Sequence, residues 1–270
     1  MNNKYSKYFF RFRFLLKYKL AKKYNNSKPI YKILKYIFLD PELDTFSYNQ
    51  VNSIEIAENL TNFFGISPEK LKYYFDEFDL IQSELRKELF LSVLWRLLFM
   101  KRKILFGRNI NEYVIVRSLK PNLVIELGIK YGLSSLVIAK ALDRNKNEGF
   151  PGNLICVDID PESGLFLSKI DQTIAKFIIE DSIKFLEKSN LSGDIYIISD
   201  SMPGSFHIKK ELQIALSKNI NNLVFQFNSS WGVDVFERHF NQIELIQKTD
   251  HPIYAGRNVK LAKFANLNTI

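Results

Sequence analysis

The segment "PNLVIELGIKYGLSSLVIAKAL", residues 121–142, decides the fold of this chain. An apolar run leads into Gly128 and Gly132, and apolar residues then recur at helical spacing. This order predicts a strand, a tight turn and a helix, because glycine accepts backbone conformations that other residues avoid. A glycine turn also lets a ligand approach the main chain without meeting a side chain. Ser134 or Ser135 is expected to cap the helix.

From about residue 111, apolar strands alternate with amphipathic helices to the end of the chain. Such alternation predicts an α/β domain with a mostly parallel sheet and helices on both faces. The expected strands are 123–127, 153–159, 176–181, 194–200, 222–227, 243–247 and 257–264, and the expected helices are 110–120, 133–142, 182–188, 205–218 and 231–240. We therefore divide the chain into a basic arm with a helical region, 1–110, and a sheet domain, 111–270.

The region before the sheet domain is expected to be mostly helical between residues 29 and 105. Ser67 has the pattern of a helix N-cap, because Pro68 and Glu69 follow it and apolar residues then recur at spacings of three and four. We expect this helical region to cover part of the sheet domain.

Basic charge is concentrated at the N-terminus. The formal net charge is +9, but residues 1–39 hold eleven Lys and Arg and no acid, which leaves −2 for the rest of the chain. Aromatic residues are mixed with these cations, as in segments that bind membrane surfaces or single-stranded nucleic acids. The more ordinary interpretation is a helix packed on its own domain, since no clean apolar face emerges. We keep contact of residues 1–25 with an anionic membrane as an alternative and do not expect nucleic-acid binding.

Composition excludes several classes of protein. The chain is 46% hydrophobic and 25% charged, so it is not expected to be disordered throughout. Cys156 is the single cysteine and lies in an apolar run, which suits a buried thiol in a reducing compartment. The longest apolar stretch, 89–100, contains Arg96 and is too short to span a bilayer. We expect a cytoplasmic protein without a signal peptide.

Three acidic residues stand at consecutive strand ends. Glu126, Asp158 and Asp181 lie at the ends of the first three predicted strands, and ligands of open parallel sheets bind beyond the carboxyl ends of the strands. A dinucleotide fingerprint needs three glycines within six residues, whereas three other residues separate Gly128 from Gly132. Carboxylates also suit an amino group and ribose hydroxyls better than a phosphate. The set therefore favours a ligand with an amino-acid end, a ribose and an adenine.

Four segments together resemble the class I S-adenosylmethionine-dependent methyltransferases, particularly the small-molecule and sugar O-methyltransferases. The segments follow the order of that family's successive motifs, and the similarity covers roughly residues 105–265. They are "YVIVRSLKPNLVIELGIKYGLSSLVIAKAL" (113–142), "GNLICVDIDP" (152–161), "KFIIEDSIKFLE" (176–187) and "DIYIISDS" (194–201). One departure is Lys130, which stands where a third glycine is common in the family.

The resemblance implies a doubly wound, seven-stranded, Rossmann-like sheet and S-adenosylmethionine as the cofactor. It implies a methyl donor bound over the glycine turn, with its ribose on Asp158 and its adenine near Asp181 and Ser182. The cofactor-binding residues expected on this basis are Glu126, Gly128, Gly132, Ser134, Asp158, Asp181 and Ser182.

Methyl transfer to an oxygen usually requires a base or a metal that removes the proton of the acceptor. Asp200 ends the fourth predicted strand and His207 follows it, so these two residues are the catalytic candidates, with His207 as the base. The alternative for His207 is a surface histidine near the strand ends. A divalent metal is not favoured, because Pro203 stands where the resemblance to sugar-tailoring relatives implies a histidine, and the fifth strand ends "FQFNSSW" without an acid.

The sequence thus predicts an O-methyltransferase that acts on a small molecule or a sugar. Two alternatives remain open. One is a tailoring enzyme resembling the cephalosporin hydroxylases, and the other is a nucleoside-binding protein without catalysis that acts through its basic arm.

Overall fold

The computed structural model describes residues 51–100, 109–164, 166–202, 204–228, 235–236, 240–245 and 259–265, and for residues 51–55, 86–100 and 228 it describes the backbone alone. In chain order the elements are α1 (Val51–Phe64), α2 (Pro68–Met100), α3 (Ile110–Leu119), β1 (Leu123–Leu127), α4 (Leu133–Asn147), β2 (Asn153–Asp158), a 3₁₀ helix (Leu167–Lys169), β3 (Ala175–Ile179), α5 (Ser182–Lys188), β4 (Gly193–Ser199), α6 (Ser205–Leu216), β5 (Ile220–Asn228), β6 (Asn241–Leu245) and β7 (Val259–Ala265).

The seven strands form one sheet in the order β3-β2-β1-β4-β5-β7-β6. The first five strands are parallel, and β7 runs antiparallel to both β5 and β6. The doubly wound, mostly parallel seven-stranded sheet is therefore confirmed, and the antiparallel strand makes the sheet mixed. The strand order reverses between β1 and β4, because the chain first winds outward through β2 and β3 and then returns. This reversal opens a crevice at the carboxyl ends of β1 and β4.

Alternate residues of each strand face two separate hydrophobic cores. On one face, Val124, Cys156 and Tyr196 belong to a cluster that includes residues of α1, α2, α3 and α4. On the other face, Ile125 and Ile197 belong to a cluster with residues of α5 and α6. Helices thus cover both faces of the sheet, as the alternation of strands and helices predicts.

The helical region packs into the first of these cores. Ser67 caps α2, since its Oγ accepts a hydrogen bond from the N–H of Lys70 at 3.3 Å, as the sequence predicts. Along α2, Phe78 is fully buried and its ring lies 5.2 Å from the ring of Tyr113 on α3. The predicted cover of the sheet by helices is therefore present for residues 56–85.

A buried ionic cluster holds α2 against α3 and the end of α4. Nε of Arg117 lies 2.7 Å from a carboxylate oxygen of Glu77, and the hydroxyl of Tyr113 donates to the same oxygen at 2.7 Å. The guanidinium also donates to Glu148 and to Asn145. Arg117 holds the pKa of Glu148 at about 2. Removing one partner of the buried Arg117–Glu77 pair costs about 3–5 kcal/mol, so this pair fixes the helical region in place.

Most predicted elements match the structure within one or two residues at each end, and α4 is longer than predicted. The helix predicted over 231–240 lies largely outside the described residues, and Val235, Phe236 and Phe240 are not helical. The basic arm also lies outside the described residues, and with it the alternative of a membrane contact through residues 1–25. Within the described part of the chain, no helix is both long and apolar enough to cross a membrane.

Candidate functional site

The turn after β1 is closed by a contact between two backbones. Gly128 has φ +83°, and a Cβ at this position would lie 2.5 Å from the Cα of Ser201 and 2.7 Å from the carbonyl carbon of Asp200. The N–H of Gly128 donates to Val157 at 2.8 Å, and the N–H of Asp200 donates to Leu127 at 2.8 Å. Glycine is therefore required here by the close approach of the β4 end as well as by its φ angle. This contact forms the floor of the crevice.

The helix after the turn begins without a side-chain cap. Gly132, with φ +78°, is the N-cap residue of α4, and no side chain accepts a hydrogen bond there. The prediction that Ser134 or Ser135 caps the helix is wrong. The helix begins at Leu133, two residues earlier than a cap at Ser134 allows, and both hydroxyls donate instead to the carboxylate of Glu126.

Glu126 is a buried acid, not a solvated strand tip. Its side chain is on the face shared with α3 and α4, and the residue is 2% exposed. Oε2 accepts from Ser135 at 2.5 Å, and Oε1 accepts from Ser134. Burial raises the pKa of Glu126 to about 7, with a further rise from the negative charges of Glu112 and Asp200, and the two serine hydrogen bonds counteract part of it. The negative charges of Glu112 and Asp200 thus act on the buried carboxyl group of Glu126.

Asp158 braces the glycine turn from β2. Its Oδ2 accepts from the N–H groups of Ile129 and Lys130 at 3.0 and 3.1 Å, and its Oδ1 accepts from Asp160 at 2.9 Å. A carboxylate offers about four acceptor positions, so Oδ1 retains capacity for a further donor. Asp158, the residue predicted to bind the ribose, therefore lies beside the turn and also shapes it.

Asp181 and Ser182 lie at the start of α5. Asp181 is the N-cap residue, and its Oδ1 accepts from the N–H of Lys184 at 3.0 Å. Ser182 is buried, and its Oγ lies 2.9 Å from Nε2 of His207. A residue expected to bind the cofactor and the expected base are thus in direct contact.

The same nitrogen of His207 contacts a buried acid. Nε2 lies 3.1 Å from Oε1 of Glu211, one turn further along α6. Glu211 is fully buried, and it also accepts from Ser199 at 2.5 Å and from Ser201 at 2.7 Å. A carboxylate only accepts, so the geometry favours a proton on Nε2 and a lone pair on Nδ1. His207 is therefore a partly buried member of a hydrogen-bond network and not a free surface histidine.

Asp200 follows β4 directly, at the mouth of the crevice and opposite Gly128. The fifth strand ends at Asn228, in the position where the sequence lacks an acid. Among the residues that the structure describes, no group of three or more His, Cys, Asp or Glu side chains is arranged to hold a metal ion.

Exposed apolar side chains surround this end of the sheet. Four of the seven large hydrophobic residues that are exposed in the described part of the chain follow or end β2, β3 and β4. They are Ile159, Ile179, Met202 and Phe206. Their exposed fractions range from 56% to 81%, and such side chains mark a binding surface when they cluster.

Sequence reasoning did not single out Glu211, Ser199, Ser201 or Glu112. The spacing of His207 and Glu211, four residues apart on a predicted helix, already places both on one helical face. That spacing was the available signal for Glu211. The burial of Glu112 has no comparable local signal, because it depends on how α3 packs on the sheet.

No protein-family model matches the chain, and no curated protein sequence matches it. Solved structures do match in fold comparison. A putative O-methyltransferase from Klebsiella pneumoniae shares 14% identity, covers 60% of this chain and 82% of its own, and has a TM-score of 0.48. The O-methyltransferase TomG from Streptomyces achromogenes, solved in complex with SAM, shares 12% identity, covers 59% and 80%, and has a TM-score of 0.46.

The matching structures also include enzymes described with a different acceptor. A putative RNA methyltransferase from Pyrococcus horikoshii shares 13% identity, covers 59% of this chain and 83% of its own, and has a TM-score of 0.39.

Proposed function

We propose that this chain is an S-adenosylmethionine-dependent methyltransferase that transfers a methyl group to an oxygen of a small molecule or a sugar. The observation that carries the proposal is that Glu126, Asp158 and Asp200 lie at the carboxyl ends of the adjacent strands β1, β2 and β4. The crevice lies where the strand order reverses, which is where ligands bind in open α/β sheets.

The charge of the crevice supports a cationic ligand. The pKa of Glu126 is raised to about 7 by burial and by two neighbouring carboxyl groups, so ionised Glu126 is destabilised in the protein alone. A bound ammonium or sulfonium would favour the ionised form. The same acids would repel a pyrophosphate. The crevice therefore suits the amino-acid and sulfonium end of S-adenosylmethionine better than a dinucleotide.

The apolar rim supports a nucleoside at the other end of the ligand. Ile159 directly follows Asp158, and Ile179 pairs with Asp158 in the strand register. Met202 lies beyond β4 on the opposite side of the crevice. An adenine between these side chains would bury apolar surface, while the Oδ1 of Asp158 offers an acceptor to a ribose hydroxyl. Asp181 and Ser182 lie beyond the end of β3, and we assign them to the edge of the adenine.

The methyl donor supplies an electrophilic carbon, and the residues of this chain then have to orient the acceptor and remove its proton. We assign proton removal to Nδ1 of His207, because Nε2 is engaged with Ser182 and Glu211. S-adenosylmethionine, when bound, would supply the methyl group to the acceptor oxygen and would leave as the thioether S-adenosylhomocysteine. The acceptor proton passes to His207 and then to solvent. Asp200, at the mouth of the crevice, would orient the acceptor.

Turnover tests the proposal directly. The protein is incubated with S-adenosylmethionine and a panel of hydroxylated small molecules and sugars, and formation of S-adenosylhomocysteine is measured. We expect acceptor-dependent product with the wild-type chain and a reduction of at least about a hundredfold for Glu126→Ala, which removes a cation-binding group.

Glu58→Gln is the matched control, because Glu58 is an exposed acid on α1, away from the crevice. It should keep the wild-type rate. Cofactor binding without turnover on any acceptor would reject the catalytic proposal and favour a nucleoside-binding protein. Equal rates for Glu126→Ala and Glu58→Gln would reject the assigned donor site.

A further inference from the structure

We propose that Glu211 is a positioning residue of the donor site, acting by fixing the end of β4 and, through His207, the start of α5. The inference rests on the proposed function, since it concerns the same crevice. Glu211 does not touch the crevice in the structure; its hydrogen bonds end on residues that border the crevice.

The side chain of Glu211 is buried. This carboxyl group is 0% exposed, and removing a charge from water is costly unless hydrogen bonds replace the lost hydration. Three donors do so here. Ser199, the last residue of β4, donates to Oε2 at 2.5 Å, and Ser201 donates to Oε1 at 2.7 Å. Nε2 of His207 approaches Oε1 at 3.1 Å.

Two of the three donors flank Asp200. Ser199 and Ser201 are the two neighbours of Asp200, so Glu211 holds the chain on both sides of that residue. Asp200 and Ser201 also form the backbone surface against which Gly128 packs. The carboxylate thus fixes the β4 side of the crevice floor. An apolar residue at position 211 would fill the space but leave both hydroxyls without this acceptor.

His207 extends the network to the other wall of the crevice. Its Nε2 lies 2.9 Å from Oγ of Ser182, which follows the N-cap residue Asp181. The path from Glu211 through His207 to Ser182 therefore joins the end of β4 to the segment after β3. We assign the first of these segments to one side of the adenine, through Met202, and the second to its edge, through Asp181 and Ser182. Holding them at a fixed separation before binding reduces the ordering cost that the ligand must meet.

The geometry excludes a nucleophilic serine. In a Ser-His-acid relay the serine and the acid use different ring nitrogens, so that a proton can pass through the ring. Here Ser182 and Glu211 both contact Nε2. Ser182 is therefore tied in place and is not activated for attack.

The test measures affinity for S-adenosylhomocysteine and for adenosine by calorimetry, in the full chain. The variants are Glu211→Gln, His207→Ala and the double variant. We expect Glu211→Gln to weaken S-adenosylhomocysteine binding at least about tenfold, and to weaken adenosine by a similar factor, because the effect acts on the nucleoside end. In the double variant the combined loss should be smaller than the product of the two single losses, since both changes break one path.

Two further variants keep the test independent of folding. Ser201→Ala removes one hydrogen bond to Glu211 without altering α6, and it should weaken both ligands in the same direction by a smaller factor. Glu187→Gln is the matched control, because Glu187 is an exposed acid on α5 that pairs with Lys210 across 3.8 Å. It should bind both ligands as the wild type does.

The outcomes separate this inference from the proposed function. If the wild type binds neither S-adenosylhomocysteine nor adenosine, the proposed function fails and the inference fails with it. If the wild type binds both ligands and Glu211→Gln stays within about twofold of it, the inference alone fails. Losses that multiply in the double variant would also overturn it, because Glu211 would then not act through His207.

Discussion

The backbone N–H of Lys130 donates to Oδ2 of Asp158 at 3.1 Å while Lys130 holds a left-handed conformation, with φ 49°. For a residue with a Cβ this conformation costs about 1–2 kcal/mol. A hydrogen bond to a charged group contributes about 1.5–3 kcal/mol, so the contact with Asp158 offsets the strain. This relationship explains how a lysine occupies the position where a third glycine is common in the methyltransferases that the sequence resembles.

The ribose-binding role that we propose for Asp158 leads to a prediction. We expect the wild-type chain to bind the 2′-deoxy analogue of S-adenosylhomocysteine at least about tenfold more weakly than the parent compound, because Oδ1 of Asp158 then loses a donor. Calorimetry with both compounds measures the difference. Equal affinities would mean that Asp158 serves the turn alone and that the ribose lies elsewhere.

Because Gly128 packs closely against the end of β4, we expect two alanine substitutions to differ in their cost in unfolding free energy. Gly128 and Gly149 have nearly the same φ angle, +83° and +86°, but a Cβ at 149 meets nothing within 4 Å. Gly149→Ala should therefore cost about 1–2 kcal/mol in unfolding free energy, from backbone strain alone. Gly128→Ala should cost clearly more, because the new methyl group displaces the backbone of Asp200 and Ser201. Urea unfolding compares the two, and equal costs would contradict the close contact.

The raised pKa of Glu126 predicts how the free energy of unfolding depends on pH. Its pKa is raised from 4.5 to about 7, so between these values the folded state binds more protons than the unfolded state. The stabilising contribution is complete below about pH 4.5 and decreases as the pH rises to about 7. Glu112 and Asp200 add to the shift, and Ser134 and Ser135 oppose it.

Glu126→Gln, which cannot ionise, should lose that part of the pH dependence. Urea unfolding of the wild type and the variant at about pH 5 and about pH 8 measures it, with Glu58→Gln as the control. The wild type should lose more stability between the two pH values than Glu126→Gln does. Parallel curves would show that Glu126 does not titrate in this range.

The base assignment is tested by a substitution that preserves the network. A glutamine at position 207 places an amide N–H near the position of Nε2, where it meets Glu211 and Ser182, but it has no basic nitrogen equivalent to Nδ1. We expect His207→Gln to lower kcat by about a hundredfold to ten-thousandfold and to leave S-adenosylhomocysteine affinity close to the wild-type value. Unchanged kcat would remove His207 from the chemical step.

The sheet was predictable because its signals are local. The run 123–127 is apolar except for Glu126 and is followed by glycine, and α5 begins at Ser182 because Asp181 caps it. Patterns of this kind specify strands and helices from a few neighbouring residues. The order of the strands then determines where the crevice lies. The strands wind outward from β1 in two directions, and their carboxyl ends lie at one edge of the sheet.

The contacts within the site were not predictable in the same way. Serines at the start of a helix usually cap it, but Ser134 and Ser135 donate to Glu126, which is buried beside them. Whether these serines cap the helix or bind Glu126 depends on how β1 packs against α3 and α4. The position of Glu211 likewise depends on the approach of α6 to the end of β4, which no local pattern encodes.

The central claim is that the carboxyl edge of this sheet binds an adenosyl sulfonium. Calorimetric titration of the full chain with S-adenosylmethionine, and with NAD as the competing adenine ligand, tests it most directly. We predict saturable binding of S-adenosylmethionine with one ligand per chain, and no binding of NAD at the same concentrations. Binding of NAD without binding of S-adenosylmethionine, or of neither ligand, would contradict the account.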